Sequence, residues 1–138
     1  MLRRIQEIHT QEDQSHECST VEQLRDLAVN TVKGDHDRVR ATMRLYGKAL
    51  FARGVHLTMF DNCSRAEFVE SSNALQTLTF GSQQSIVFRV TVWGASLDDP
   101  KFVVGSKLRL RDIRDINVWN GILGGGICHN EDIERLQD

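Results

Sequence analysis

The chain is poor in the features that mark secreted, membrane-embedded or metal-built proteins. Its three cysteines (Cys18, Cys63 and Cys128) are an odd number with no Cys-x-x-Cys spacing. That argues against a disulfide scaffold and suits a reducing compartment such as cytosol or nucleus. No apolar run approaches the ~20 residues of a membrane-crossing helix. The first residues, MLRRIQEIHTQED, include two arginines but no continuous apolar segment, so a signal peptide is not expected. There is a single proline, Pro100, and it falls at the end of a turn. His16, Cys18, Cys63, Cys128 and His129 could be gathered into a zinc set only against the usual ligand spacing. Gly124-Gly125-Gly126 has neither the G-x-G-x-x-G order nor a following Lys-Ser/Thr. Gly105-Ser106-Lys107 lacks the upstream glycine of a phosphate loop. No Ser/His/Asp arrangement or paired carboxylates stand out, so no enzyme, metal or cofactor is expected.

What remains is a chain of ordinary soluble composition, with 40% hydrophobic and 26% charged residues in 138, enough for one domain with a real core. Its net charge of −2 is unevenly spread. Residues 1–37 carry 4 basic and 8 acidic side chains, residues 38–119 carry 12 and 7, and residues 120–138 carry 1 and 4. A basic middle between acidic ends is the distribution of a phosphate-binding sheet with solubilising flanks, or of chance segregation in a short chain.

Hydrophobic alternation lies in that basic middle. In RVRATMRLYGKALFARGVHLTMFD (38–61), Val39, Ala41, Met43 and Leu45 take one face at period two, and Arg38, Arg40, Thr42, Arg44 and Tyr46 the other. After a link containing Gly47 and Gly54, Val55, Leu57 and Met59 again alternate with His56, Thr58 and Phe60. Ser85–Trp93 reads as a third strand with Ile86, Phe88, Val90 and Val92 inward. Lys107–Ile116 reads as a fourth with Leu108 and Leu110 inward. Asn120-Gly121 signals a turn into a fifth strand, Ile122–Cys128. Residues 1–19 read as a flexible or partly helical lead-in. Residues 20–29 read as a helix with Ser19 as N-cap and Glu22 closing a capping box, and 31–37 as a turn. Residues 62–84 form a long polar connection holding a short strand or helical turn, and Asn130–Leu136 a closing helical turn. Gly124–Gly126 suits a bend or a close strand approach.

Five strands with a long break between the second and third give the order of an OB-fold, an all-β five-stranded Greek-key barrel, here with an N-terminal helix and spanning 20–138. A sandwich or another small barrel has the same strand count. RVRATMRLYGKALFARGVHLTMFD, SIVFRVTVWG and FVVGSKLRLRDIRDINVWNGILGGGICHNED together resemble the second OB-fold of the protection-of-telomeres family of single-stranded DNA binders. The resemblance runs from about Thr20 onward and is carried by HLTMFD, VTVW and the V-x-G-x-x-L-R-L-R approach to the fourth strand, in that order. It departs at His129-Asn130-Glu131, where the family usually has a small glycine, and these 138 residues are expected to hold one OB-fold, without the first fold of two-fold members. It implies sequence-selective binding of single-stranded telomeric DNA in the nucleus, by a monomer protecting chromosome ends, with other telomere proteins as further partners. The alternative is an OB-fold that binds protein within a telomere or genome-maintenance complex.

The candidate contacts are the outward cations and rings. Tyr46, Phe60 and Trp119 would stack bases; the alternative for Tyr46 and Phe60 is packing over the barrel rim or beneath the long connection, and for Trp119 an isolated surface tryptophan. Arg44, Lys48, Arg53, Arg89, Arg111 and Arg114 would meet phosphates or base edges, or else be solvated. His56 and Thr58 would hydrogen-bond base edges, or else be ordinary solvated polar residues. Trp93 shares a face with Arg89 by alternation, but as a strand-ending tryptophan it is expected to plug the core. Asp61 is expected to cap a turn.

Overall fold

The computed structural model describes residues 16–30 and 39–137. The expected turn at 31–37 lies outside them. Seven strands are present among the described residues: β1 (His16–Cys18), β2 (Val39–Phe51), β3 (Gly54–Phe60), β4 (Phe88–Trp93), β5 (Lys107–Trp119), β6 (Ile122–Ile127) and β7 (Ile133–Leu136). The helices are α1 (Val21–Asn30), α2 (Arg65–Gln76) and α3 (Phe80–Gln84). The sheet runs β1-β2-β3-β4-β6-β5-β7, and an added β2–β5 pairing closes β2-β3-β4-β6-β5 into a five-stranded barrel. β4 and β6 are parallel, and every other pair in the ring is antiparallel. The fold is an OB-fold.

Alternation predicts the interior well. Val39, Ala41, Met43, Leu45, Val55, Leu57 and Met59 are all fully buried, with Phe88, Val90 and Val92 from β4. The third strand starts at Phe88 rather than Ser85, so the parity expected upstream fails: Val87 is buried and Ile86 exposed. β2 also runs through Gly47 to Phe51, so the link is the two-residue turn Ala52-Arg53 and not a stretch from Gly47. Gly47 instead follows a bulge, because Leu45 pairs with Met59 and Gly47 with Thr58, leaving Tyr46 as the extra residue.

β5 departs furthest from simple alternation. Its buried apolar residues are Leu108, Leu110, Ile113 and Ile116, spaced by two, three and three. Each three-residue step holds one extra residue. Val39 and Ala41 pair with Ile113 and Leu110, and Gly126 and Gly124 pair with Arg114 and Asn117. Asp112 (φ 53°) and Asp115 (φ 56°) occupy left-handed backbone within these steps, a region aspartate tolerates better than most residues. Two bulges in one strand add twist and bend it around the ring. Gly125 lets β6 follow: a Cβ there would lie 2.9 Å from Ile113 Cγ2 and 3.1 Å from Phe88 Cζ. This is the close strand approach expected of the glycine run.

α1 packs on β5 and β6, with Val21 and Leu24 in the core. Its cap lies one residue later than expected. The Gln23 backbone N–H donates to Thr20 Oγ1 (3.1 Å), and Gln23 Oε1 accepts from the Ser19 and Thr20 backbone N–H groups. Asp61 caps this helix and not a turn, accepting from the Val21 N–H at 2.7 Å. The long connection holds α2, closed by a Ser64–Glu67 capping box, and the shorter α3. Of the flexible or partly helical lead-in expected at 1–19, residues 1–15 lie outside the described residues, and His16–Cys18 form β1 parallel to β2. Residues 133–136, expected to be helical, form β7 antiparallel to β5 after a single 3-10 turn at Asn130–Asp132.

Arg44 is not available to a ligand, contrary to its sequence assignment. It leaves the outer face of β2, but the loops after β3 and β4 cover that face, and the residue is wholly buried. Its Nε donates to the Cys63 carbonyl (2.9 Å) and its Nη1 to the Gly105 carbonyl (2.8 Å). Alternation reports which side of a strand a residue leaves, not whether a loop lies over that side. Arg44→Met keeps the apolar stem and strips both carbonyls of their donor, so a loss of about 1–3 kcal/mol in urea unfolding is expected. An unchanged midpoint would show that these hydrogen bonds do not hold the loops down.

Candidate nucleic-acid interface

The outer face of β3, β4 and β6 forms an open groove of about 290 Å³, walled on its far side by the end of β5. Register explains the shape. Thr58, Arg89, Gly124 and Asn117 form one lateral row across β3, β4, β6 and β5; His56, Thr91, Gly126 and Arg114 form the next. The β6 position in each row is a glycine, so the floor carries no side chain while neighbouring strands raise walls on both sides. Gly124 and Gly126 are therefore the groove floor, and Gly125 between them faces the core.

Rings stand at both ends. Trp93 closes β4 and is 44% exposed, lining the groove and not plugging the core. The barrel interior is already filled by Phe88, Phe102 and the aliphatic residues, so alternation, which put Trp93 on the Arg89 face, is obeyed. Trp93 meets Phe51 edge-on (5.4 Å between centroids, 73°), and Phe51 stacks on the His56 ring (4.4 Å, 15°). Trp119 lies at the opposite end, in the β5–β6 hairpin, paired with Ile122 and 71% exposed. By register Trp93 falls level with residue 128 and Trp119 with residue 122, so about six strand residues, ~20 Å, separate the two backbone positions.

Polar groups lie between the rings. Arg89 lines the groove and makes no hydrogen bond or ion pair among the described residues. His56 Nδ1 is 3.1 Å from Thr91 Oγ1. Burial, and secondarily the positive charge of Arg89, pushes the His56 pKa below the ordinary histidine value. Asp115 and Asn117 form the β5 wall.

Of the residues singled out from sequence, His56, Arg89 and Trp119 line this groove, and Thr58 lies in the Arg89 row. The others go elsewhere. Tyr46 sits at the β2 bulge with its ring edge-on to Phe68 of α2 (6.5 Å), beneath the long connection. Phe60 is half-buried opposite Arg44. Lys48 Nζ donates to the Leu97 carbonyl (3.0 Å). Arg53 is exposed in the β2–β3 turn, its carbonyl accepting from the Gly94 N–H beside Trp93. Arg111 pairs with Glu134 on β7 (3.7 Å), and Arg114 with Asp112 (3.0 Å). Sequence reasoning missed Phe51, Thr91, Asp115 and Asn117. The two-three-three spacing of apolar residues in KLRLRDIRDINVW is the signal that points to the bulges and hence to Asp115 and Asn117.

No family model matches this chain, and no curated protein matches it. Among solved structures it is similar to the crystal structure of Schizosaccharomyces pombe Pot1pC bound to ssDNA (CGGTTACGGT), with a TM-score of 0.44 and 11% sequence identity, covering 73% of this chain and 79% of that one.

The displaced His56 pKa has a testable consequence. The folded protein binds its proton less readily than the unfolded chain does. Protonation therefore costs stability, from the unfolded histidine value downward, and the loss is complete once pH is below the folded pKa. An NMR titration of the His56 ring is expected to show a midpoint below that of an unstructured histidine, moving upward in Arg89→Gln. A midpoint at or above the ordinary value would contradict the burial described here.

Proposed function

We propose that the groove binds single-stranded DNA, with bases stacking on Trp93 and Trp119 and phosphate meeting Arg89 and Arg53. The observation that carries this is the pairing of a bare glycine floor with exposed tryptophans at both ends and an arginine between them that has no partner among the described residues. A trough without a Cβ floor admits flat groups. Indole faces accept any base, and an uncommitted guanidinium has no internal anion to displace. The location also fits, since the second and third barrel strands with their flanking hairpin loops are the surface on which OB-folds take oligonucleotides. The chain is a binding protein in this reading and not an enzyme.

We further propose, on the sequence resemblance, that the ligand is single-stranded telomeric DNA bound sequence-selectively in the nucleus, where the protein shields chromosome ends. A competition series of repeat permutations and complementary strands tests this. One register of one strand is expected to outcompete the rest, and equal competition by all would end the telomeric assignment.

The groove itself is tested by titrating oligonucleotides against intrinsic tryptophan fluorescence. Saturable quenching is expected, with log affinity falling against log salt at roughly −0.7 per phosphate neutralised. Trp93→Ala and Trp119→Ala are each expected to cost about 1–3 kcal/mol of binding. Gly126→Leu should fill the floor and abolish binding in a folded protein, because a Cβ there lies no closer than 3.5 Å to a neighbour (Trp93 Nε1). Full affinity in Gly126→Leu would place the ligand elsewhere.

A further inference from the structure

The two bulges of β5 repeat the same three residues, Arg-Asp-Ile, at 111–113 and 114–116, but their carboxylates have different fates. Asp112 is engaged: its Oδ2 accepts from Arg114 Nη2 at 3.0 Å. Asp115 makes no hydrogen bond or ion pair among the described residues, and it is exposed on the groove wall beside Asn117. Arg114, the nearest cation in sequence, is paired with Asp112. An open carboxylate in a groove that holds an anionic polymer is unfavourable for phosphate and adds nothing to non-selective affinity. It becomes favourable only against a hydrogen-bond donor.

We propose that Asp115, with Asn117, is the base-selecting wall of the groove, and that it selects a base presenting two adjacent N–H donors. This rests on the single-strand-binding reading above. The geometry divides the groove. Arg89 and the β2–β3 turn supply positive charge on one side, so the sugar–phosphate chain runs there and the base edges face β5. An ionised carboxylate is acceptor-only, with two oxygens that match a pair of parallel donors. Guanine offers N1–H beside its N2 amino group on the pairing edge. Thymine offers a single N3–H between two carbonyls, which a carboxylate repels. Adenine and cytosine each offer one amino group beside an unprotonated ring nitrogen. Asn117, one row along, has an amide that can donate to the guanine O6 next to N1. The bulge makes this possible: in an unbulged strand with Ile113 inward, residues 115 and 117 would also point into the core.

The test uses a thymidine decamer and three versions with one central dG, dA or dC, titrated against the wild-type chain, Asp115→Asn and Asp115→Gly. Both substitutions tolerate the left-handed backbone at this position, so neither removes the bulge. The wild type is expected to bind the dG decamer about tenfold tighter than the all-thymidine one, a difference typical of one bidentate contact. Asp115→Gly is expected to erase that preference, so that the dG and all-thymidine decamers bind it equally. Asp115→Asn, which keeps one acceptor, should fall between them. A dG preference that survives in Asp115→Gly, or is absent from the wild type while all four decamers bind, overturns this proposal and leaves single-strand binding standing. Failure of every decamer to bind overturns both.

Discussion

The curvature of β5 is the constraint on which the rest of this molecule depends. A five-stranded ring closes only if β5 can pair with β2 along its first half and with β6 along its second. A regular strand of 13 residues would leave one neighbour before reaching the other. Two inserted residues, each with an aspartate in left-handed backbone, bend it far enough. Such backbone costs of order 1–3 kcal/mol per residue, and the burial of Ile113 and Ile116 in the closed barrel offsets it.

The same bulges shape the groove. Each one reverses the parity of the residues beyond it, so Ile116 turns inward and Asp115 and Asn117 outward, toward a floor that the β6 glycines leave bare. Gly125 and its two neighbours divide the labour: the central glycine lets β6 press against Ile113 and Phe88, and the flanking pair keep the outer face free of side chains. Closure of the core and openness of the groove therefore arise from one short run of sequence on each of two strands.

Charge is organised by enclosure as much as by number. The basic middle of the chain supplies many cations, yet most are occupied: Arg44 by carbonyls under two loops, Arg111 and Arg114 by carboxylates, and Lys48 by the Leu97 carbonyl. Arg89 stays open because it stands in the one lateral row whose β6 member is Gly124 and whose β5 member is the neutral Asn117. A count of basic residues along the chain overstates the positive surface, because it cannot distinguish an arginine that binds the protein's own backbone from one facing solvent.

Sequence alone determined the inward-facing residues of β2, β3 and β4, the Asn120-Gly121 hairpin, and the barrel order, because period-two burial and turn chemistry act over a few neighbouring residues. It also put Trp93 beside Arg89, although a preference for buried tryptophan pointed the other way. Only the tertiary structure decided that loops enclose Arg44, that Tyr46 lies under α2 against Phe68, and that Trp93, Arg89, His56, Asn117 and Trp119 share one groove. Those outcomes depend on which strands lie side by side and which loops fold over them. Such contacts join residues far apart in the chain, and local patterns do not encode them.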